Sequence, residues 1–182
     1  GGGGVHVGYF NSDAGTFNMY GGSITGNTSS RDGAGVRVSR NATMTISGNV
    51  KITGNKVGTA ANNVYLPRNT TITVTGPLTG GENSIGVTTA DLLTKDGSFI
   101  AVANGTDSYT LTDNEKNAFS EDDENRFNTK LLRDNTILFT RFVDVQMHDH
   151  ALCGASCNHE TAHSSELWQP LTYYASSQDL YC

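Results

Sequence analysis

Charge is scarce in this chain of 182 residues: Asp, Glu, Lys and Arg together make up 16%. No run of Lys or Arg occurs, the net charge is −6 and the pI is near 5.2. A basic face for nucleic acid is therefore excluded as an expectation. Leu, Lys and Glu are too few, and the 21 glycines too many, for a helical protein. No apolar stretch approaches the ~20 residues that cross a bilayer, so no membrane insertion of this segment is expected. No signal peptide is present, and the chain opens directly on GGGGVHV. This is the expectation for a segment taken from inside a longer polypeptide, with neighbouring modules as partners. Three cysteines are too few for a disulfide framework, and the odd number leaves at least one unpaired or joined outside the chain. What abounds instead is Thr, Val, Asn and Gly, the residues of strands and tight turns. The length suits one domain with a sizeable core.

Internal repetition organises most of the chain. GGGVHV (2–7) returns as GAGVRV (33–38) and more loosely as NNVYL (62–66), with Val5, Val36 and Val64 spaced by 31 and 28. A second phase, TFNMYGGSITGN (16–27), matches TMTISGNVKITGN (43–55) and TITVTGPLTG (71–80). Phe17, Met44 and Ile72 mark it at intervals of 27 and 28. Ile24 and Ile52 are 28 apart, with Leu78 expected as their third member 26 residues on. Apolar and polar residues alternate within each copy, as in Val5/Val7, Phe17/Met19, Val36/Val38, Met44/Ile46 and Ile72/Val74. Period two means short strands with one buried face. About three strands per copy, punctuated by Gly, Asn and Asp, make one coil of a parallel β-helix, whose apolar face is buried only by stacking. Parallel crossovers are overwhelmingly right-handed, and that hand is assigned here. Asn27 and Asn55 are expected to stack at one corner, each amide bonding the next. An antiparallel sandwich predicts turns every 8–12 residues but no phase-locked copies.

Further strands are expected at 84–89, 98–103, 126–132 and 135–140. Between them TDNEKNAFSEDDEN (112–125) reads as an acidic, solvated excursion with a short helical turn. Glu121, Asp122, Asp123 and Glu124 lack the spacing and glycine of an EF-hand. Four Asn-x-Ser/Thr sequons, at Asn27, Asn41, Asn69 and Asn104, are read as by-products of an Asn/Thr-rich composition.

The densest chemistry lies in HDHALCGASCNHETAH (148–163). A tetrahedral zinc site takes four thiolate or imidazole ligands, usually from two short-spaced pairs. Six candidates compete: His148, His150, Cys153, Cys157, His159 and His163. A Cys153–Cys157 disulfide is the plain alternative, though the crowding of four of five histidines favours metal. The letters His159-Glu160-x-x-His163 match a zinc peptidase, with Glu160 or Glu166 as its base. That chemistry requires a mid-helix motif in a sheltered cleft and an open coordination position. Two neighbouring thiolates would instead fill the shell and quench Lewis acidity. Beyond the knot, Trp168, Leu171, Tyr173 and Tyr174 are read as packing over the metal loop or the open end of the last coil, with sugar stacking as the rival.

The strings GGGVHV, GTFNMYGGSITGNT, GAGVRV, NVYLPRNTTITVTGPLTG and SIGVTT resemble the right-handed β-helix repeats of very large adhesin-like surface proteins of Gram-positive gut bacteria. The resemblance covers residues 1–140 and implies an all-β, right-handed parallel β-helix, with residues 141–182 a small metal-binding cap or linker. It implies an extracellular setting, at the cell surface or secreted, and a host or cell-surface glycan or protein as partner. Such proteins carry a short insert resembling His-x-His-Cys-x-Cys-Gly after a β-helix block. Here Ala151 stands where the other cysteine commonly sits, which implies a structural Zn²⁺ held by His150, Cys153, Cys157 and His163. His148 and His159 are then reserves.

Function is accordingly expected to be non-enzymatic: a stalk or adhesive surface closed by zinc. The alternative is a polysaccharide lyase or glycosidase, which needs paired carboxylates on adjacent coils. The coil-equivalent exterior positions His6, Arg37 and Tyr65, then Asn18 and Thr45, hold none.

Overall fold

The computed structural model describes residues 3–8, 14–90, 99–122, 128–132 and 134–140, all within the unit Gly1–Phe142. Alternation at period two produces its strands directly. The first coil contributes β1 (Val5–Val7), β2 (Thr16–Met19), β3 (Gly22–Thr25) and β4 (Thr28–Ser29). The second contributes β5 (Val36–Val38), β6 (Thr43–Gly48), β7 (Val50–Thr53), β8 (Lys56–Val57) and β9 (Ala60–Ala61). The third holds β10 (Val64–Leu66), β11 (Ile72–Leu78) and β12 (Ile85–Thr89). The described chain then adds β13 (Phe99–Asn104), α1 (Asp113–Ala118), β14 (Phe119–Glu121), β15 (Asn128–Leu131) and β16 (Thr136–Thr140).

These strands stack as a parallel β-solenoid. One wall is β1, β5, β10 and the C-terminal part of β12, in the register Val5–Val36–Val64–Val87. The second is β2, β6, β11 and β13, registered Phe17–Met44–Ile72–Ala103. The third is β3, β7, the start of β12 and β14, registered Ile24–Ile52–Ile85–Phe119. Apolar residues at equal heights let each coil bury the next coil's apolar face. Val36, Met44, Ile46, Ile52, Val64, Ile72, Val74, Ile85 and Val87 are all fully buried. Val5, Phe17 and Ile24 of the first coil are only half-buried.

The third coil departs from the repeat in two places. Leu78 does not continue the Ile24–Ile52 line; a register shift in β11 sets it opposite Gly48, and Ile85 takes the rung. β11 takes four positions from Val74 to Leu78 where β6 takes two from Ile46 to Gly48, so the chain reaches the third wall later. The next corner is then shortened. Val36 follows Ile24 and Val64 follows Ile52 by twelve positions, but Val87 follows Ile85 by only two. β12 thus crosses from the third wall to the first without leaving the ladder.

On the second wall the parallel pattern stops at β13. β16 pairs antiparallel with β13, and β15 antiparallel with β16. α1 packs against β11, β14 and β15, and Leu111, Ala118, Phe119, Ile137 and Phe139 join the core. The described part (112–122) of the stretch expected as a solvated acidic excursion is therefore built in: it forms α1 and β14, and β14 pairs with β12. Residues 141–182, with the expected metal-binding cap and the Trp168–Tyr174 packing, lie outside the described residues.

Candidate functional site

Three features of the solenoid hold its polar side chains in ordered arrays. The first is the corner between the third and first walls. Asn27 donates from its backbone N–H and Nδ2 to Asn55 Oδ1 at 3.0 and 2.9 Å. Asn55 donates in the same way to Asn63 Oδ1, both at 2.9 Å. Asn63 then donates its backbone N–H to Asp122 Oδ2 at 2.6 Å and its Nδ2 to Asp122 Oδ1. Thr88 Oγ1 adds a bond to Asp122 Oδ2 at 2.7 Å. The side-chain-to-side-chain donations all run the same way along the stack and end on the Asp122 carboxylate, while Asn55 Nδ2 also donates back to Ile24 O of the first coil at 2.8 Å. Aligned bonds of this kind polarise one another, and the last is charge-assisted. Glycine makes the space: a Cβ on Gly35 would lie 2.6 Å from Asn63 O and 2.7 Å from Asn55 Nδ2. Burial pushes the Asp122 carboxyl above the usual carboxylate range, against the opposing pull of its bonds from Thr88 and Asn63.

The expected Asn27–Asn55 stack is thus present, and two further members were missed. Their signal was available as spacing. Asn27 follows Ile24 by three residues, Asn55 follows Ile52 by three, and Asp122 follows Phe119 by three, and Phe119 is the fourth rung of that line. The shortened third corner leaves Thr88 at this offset and hands the amide role to Asn63.

The second feature seals the far end. Glu115, buried at 2% exposure, closes a capping box on α1: its Oε2 accepts from Thr112 N–H at 2.9 Å and Thr112 Oγ1 at 2.6 Å. Its Oε1 accepts from Leu78 N–H at 3.1 Å, tying α1 to the end of β11. Burial alone raises this carboxyl, but the bonds from Thr112, Leu78 and Tyr109 outweigh it and hold the group below its ordinary value. Tyr109 is pushed up to about 12, first by burial and then by its bond to Glu115 and that group's charge. A shallow open groove of about 190 Å³ beside α1 is lined by Glu82, Asn83, Lys116, Asn117, Phe119 and Thr129.

The third feature is the set of outward rows. On the first wall His6, Arg37, Tyr65 and Thr88 stand at one register position. The Arg37 guanidinium lies 4.9 Å from the centroid of the Tyr65 ring, and Arg37 Nη1 donates to Asp32 O at 3.4 Å. His6 is exposed, and partial burial followed by the Arg37 charge lowers its pKa. On the second wall the row is Asn18, Thr45, Thr73 and Asn104. Neither row contains a carboxylate, so neither supplies an acid–base pair on adjacent coils.

His148, His150, Cys153, Cys157, His159 and His163, with Glu160 and Glu166, all lie outside the described residues. Among the described residues no three His, Cys, Asp or Glu side chains converge as a metal site. No helix among them is long and apolar enough to cross a membrane. No family model, no curated protein and no solved structure matches the chain.

Proposed function

We propose that this chain is a non-enzymatic segment of a large bacterial cell-surface or secreted, adhesin-like protein. Its stacked coils serve as a stiff stalk or adhesive surface. A structural Zn²⁺ on His150, Cys153, Cys157 and His163, with His148 and His159 in reserve, fastens the stalk to the next module. Zinc bound there folds a segment too short and polar to build a core of its own. The observation that carries the reading is the register itself. Three walls repeat apolar residues at the same heights, and the outward rows of the first two walls hold no paired carboxylates. Such a stacked body, with no acid–base pair on those rows, suits presentation rather than turnover.

Two measurements test this. Incubation with neutral and uronate-containing polysaccharides is expected to release no reducing ends and no unsaturated uronate; sustained release of either would replace the stalk with a lyase or glycosidase. Antibody labelling of intact cells that express the parent protein is expected to reach this segment, and labelling only after lysis would remove the surface assignment.

A further inference from the structure

The corner ladder is finished at one end and open at the other. Its last member, the Asp122 carboxylate, can only accept, which ends a line of donations passed from coil to coil. Asn55 and Asn63 each take two N–H groups on Oδ1 from the ladder residue before them. Asn27 gives two in the same way, yet no described residue donates to Asn27 Oδ1. The apolar interior has the same asymmetry. Val5, Phe17 and Ile24 are half-buried, while Val36, Met44 and Ile52 at the same heights one coil on are fully buried. Among the described residues β1, β2 and β3 each stand at the end of a sheet. Their sequences VHV, TFNM and GSIT contain no Asp, Glu, Lys, Arg or Pro, the residues that keep exposed edges from pairing. At the far end α1 and the antiparallel pair of β15 and β16 bring Asp113, Lys116 and Lys130, and add Ala118, Ile137 and Phe139 to the core.

We propose that the first coil is built to receive another parallel coil of the same pattern, supplied by the parent polypeptide on its N-terminal side. That coil sets an apolar residue over each of Val5, Phe17 and Ile24. Three residues after the last of these it carries an asparagine, whose backbone N–H and Nδ2 donate to Asn27 Oδ1 as those of Asn27 do to Asn55. The occupant is named by continuity, because the same contacts join the first coil to the second on all three walls. A cap like the one at the far end, finished with charge and antiparallel pairing, calls for neither the asparagine nor the parallel register. The proposal rests on the reading of this chain as a segment of a longer stalk, and it adds a direction to that stalk, with further coils on the N-terminal side.

The test is hydrogen exchange read by mass spectrometry, on the full chain and on a version in which a copy of residues 33–61 replaces Gly1 and Gly2. The copy sets its Val36 28 positions ahead of Val5, which is the Val36–Val64 interval. With the coil added, the amides of β1, β2 and β3 are expected to exchange at least about tenfold more slowly, the scale of one net hydrogen bond. The extended chain should unfold in a single transition at a higher midpoint, and Asn55→Ala in the added copy should forfeit part of that gain. The parent polypeptide, labelled before digestion, should protect the same amides to the same degree. The proposal is overturned if those amides already exchange as slowly as β5, β6 and β7 in the chain alone, since its own residues then cover the end. An added copy that unfolds separately and leaves them unprotected overturns it too, and so does a parent in which they exchange as fast as in the chain alone. None of these results touches the stalk reading, which stands on absent turnover and on surface labelling.

Discussion

Replacing Asp122 tests whether the corner ladder holds the fourth rung in place. In Asp122→Ala, Asn63 N–H, Asn63 Nδ2 and Thr88 Oγ1 lose their acceptor. Each orphaned buried donor costs about 1–3 kcal/mol. The Thr88 hydroxyl can rotate toward solvent, and removing a buried carboxylate returns part of its desolvation cost, so a net loss of about 2–4 kcal/mol is expected. Asp122→Asn behaves differently. Asn63 Oδ1 already accepts both N–H groups of Asn55 on a single oxygen, and the amide oxygen introduced by Asp122→Asn would accept both from Asn63 in the same way. Thr88 then reverses its hydroxyl to accept, and the cost stays under about 1 kcal/mol. The pH dependence follows from the raised Asp122 carboxyl. Its folded-state pKa exceeds the unfolded one, so its contribution is full below the ordinary Asp range and declines as pH rises through the raised value. Asp122→Asn should lack that decline. Urea unfolding at constant m reads these differences as midpoint shifts. The reasoning fails if Asp122→Ala is neutral, or if Asn is as damaging as Ala.

The other end of the solenoid gives two further expectations. Glu115→Ala strips the acceptor from Leu78 and Thr112 N–H and should cost about 2–4 kcal/mol. Because Glu115 is held below its ordinary value, its stabilisation is present above that value and is lost as pH falls through the lowered one; acid unfolding of Glu115→Gln should lack this component. In an alkaline absorbance titration one tyrosine should ionise near 12 in the wild type and move down in Glu115→Gln. At the corner, Gly35→Ala drives a Cβ into Asn63 O and the Asn55 amide and should cost several kcal/mol. Gly76→Ala, which meets only Ser47 Cβ at 3.3 Å, serves as its mild counterpart.

The walls were legible because stacking repeats one physical demand, an apolar residue at a fixed height, and Val, Ile, Met and Phe record it in the sequence. Where the chain stopped repeating, the record became ambiguous. Leu78 has the right chemistry and nearly the right spacing for the third-wall line, yet the extra residues within β11 set it opposite Gly48 and pass that rung to Ile85. Asp122 was misread for a different reason. A cluster of carboxylates looks solvated in one dimension, and its role depends on the parallel pairing of β14 with β12, a contact of long sequence separation. The helical turn in the same stretch was readable, since Thr112 and Glu115 form a capping box at local spacing. The outward rows were readable as positions, but the Arg37–Tyr65 stack depends on side-chain geometry that spacing does not encode.

The functional account turns on the fastening, and one experiment reaches it directly: X-ray diffraction from the full chain with anomalous data on both sides of the zinc edge. The account predicts one zinc bound tetrahedrally by His150, Cys153, Cys157 and His163, with no open position. A metal-free sulfur–sulfur bond between Cys153 and Cys157 would contradict it. So would a zinc on His159 and His163 that carries a water beside Glu160.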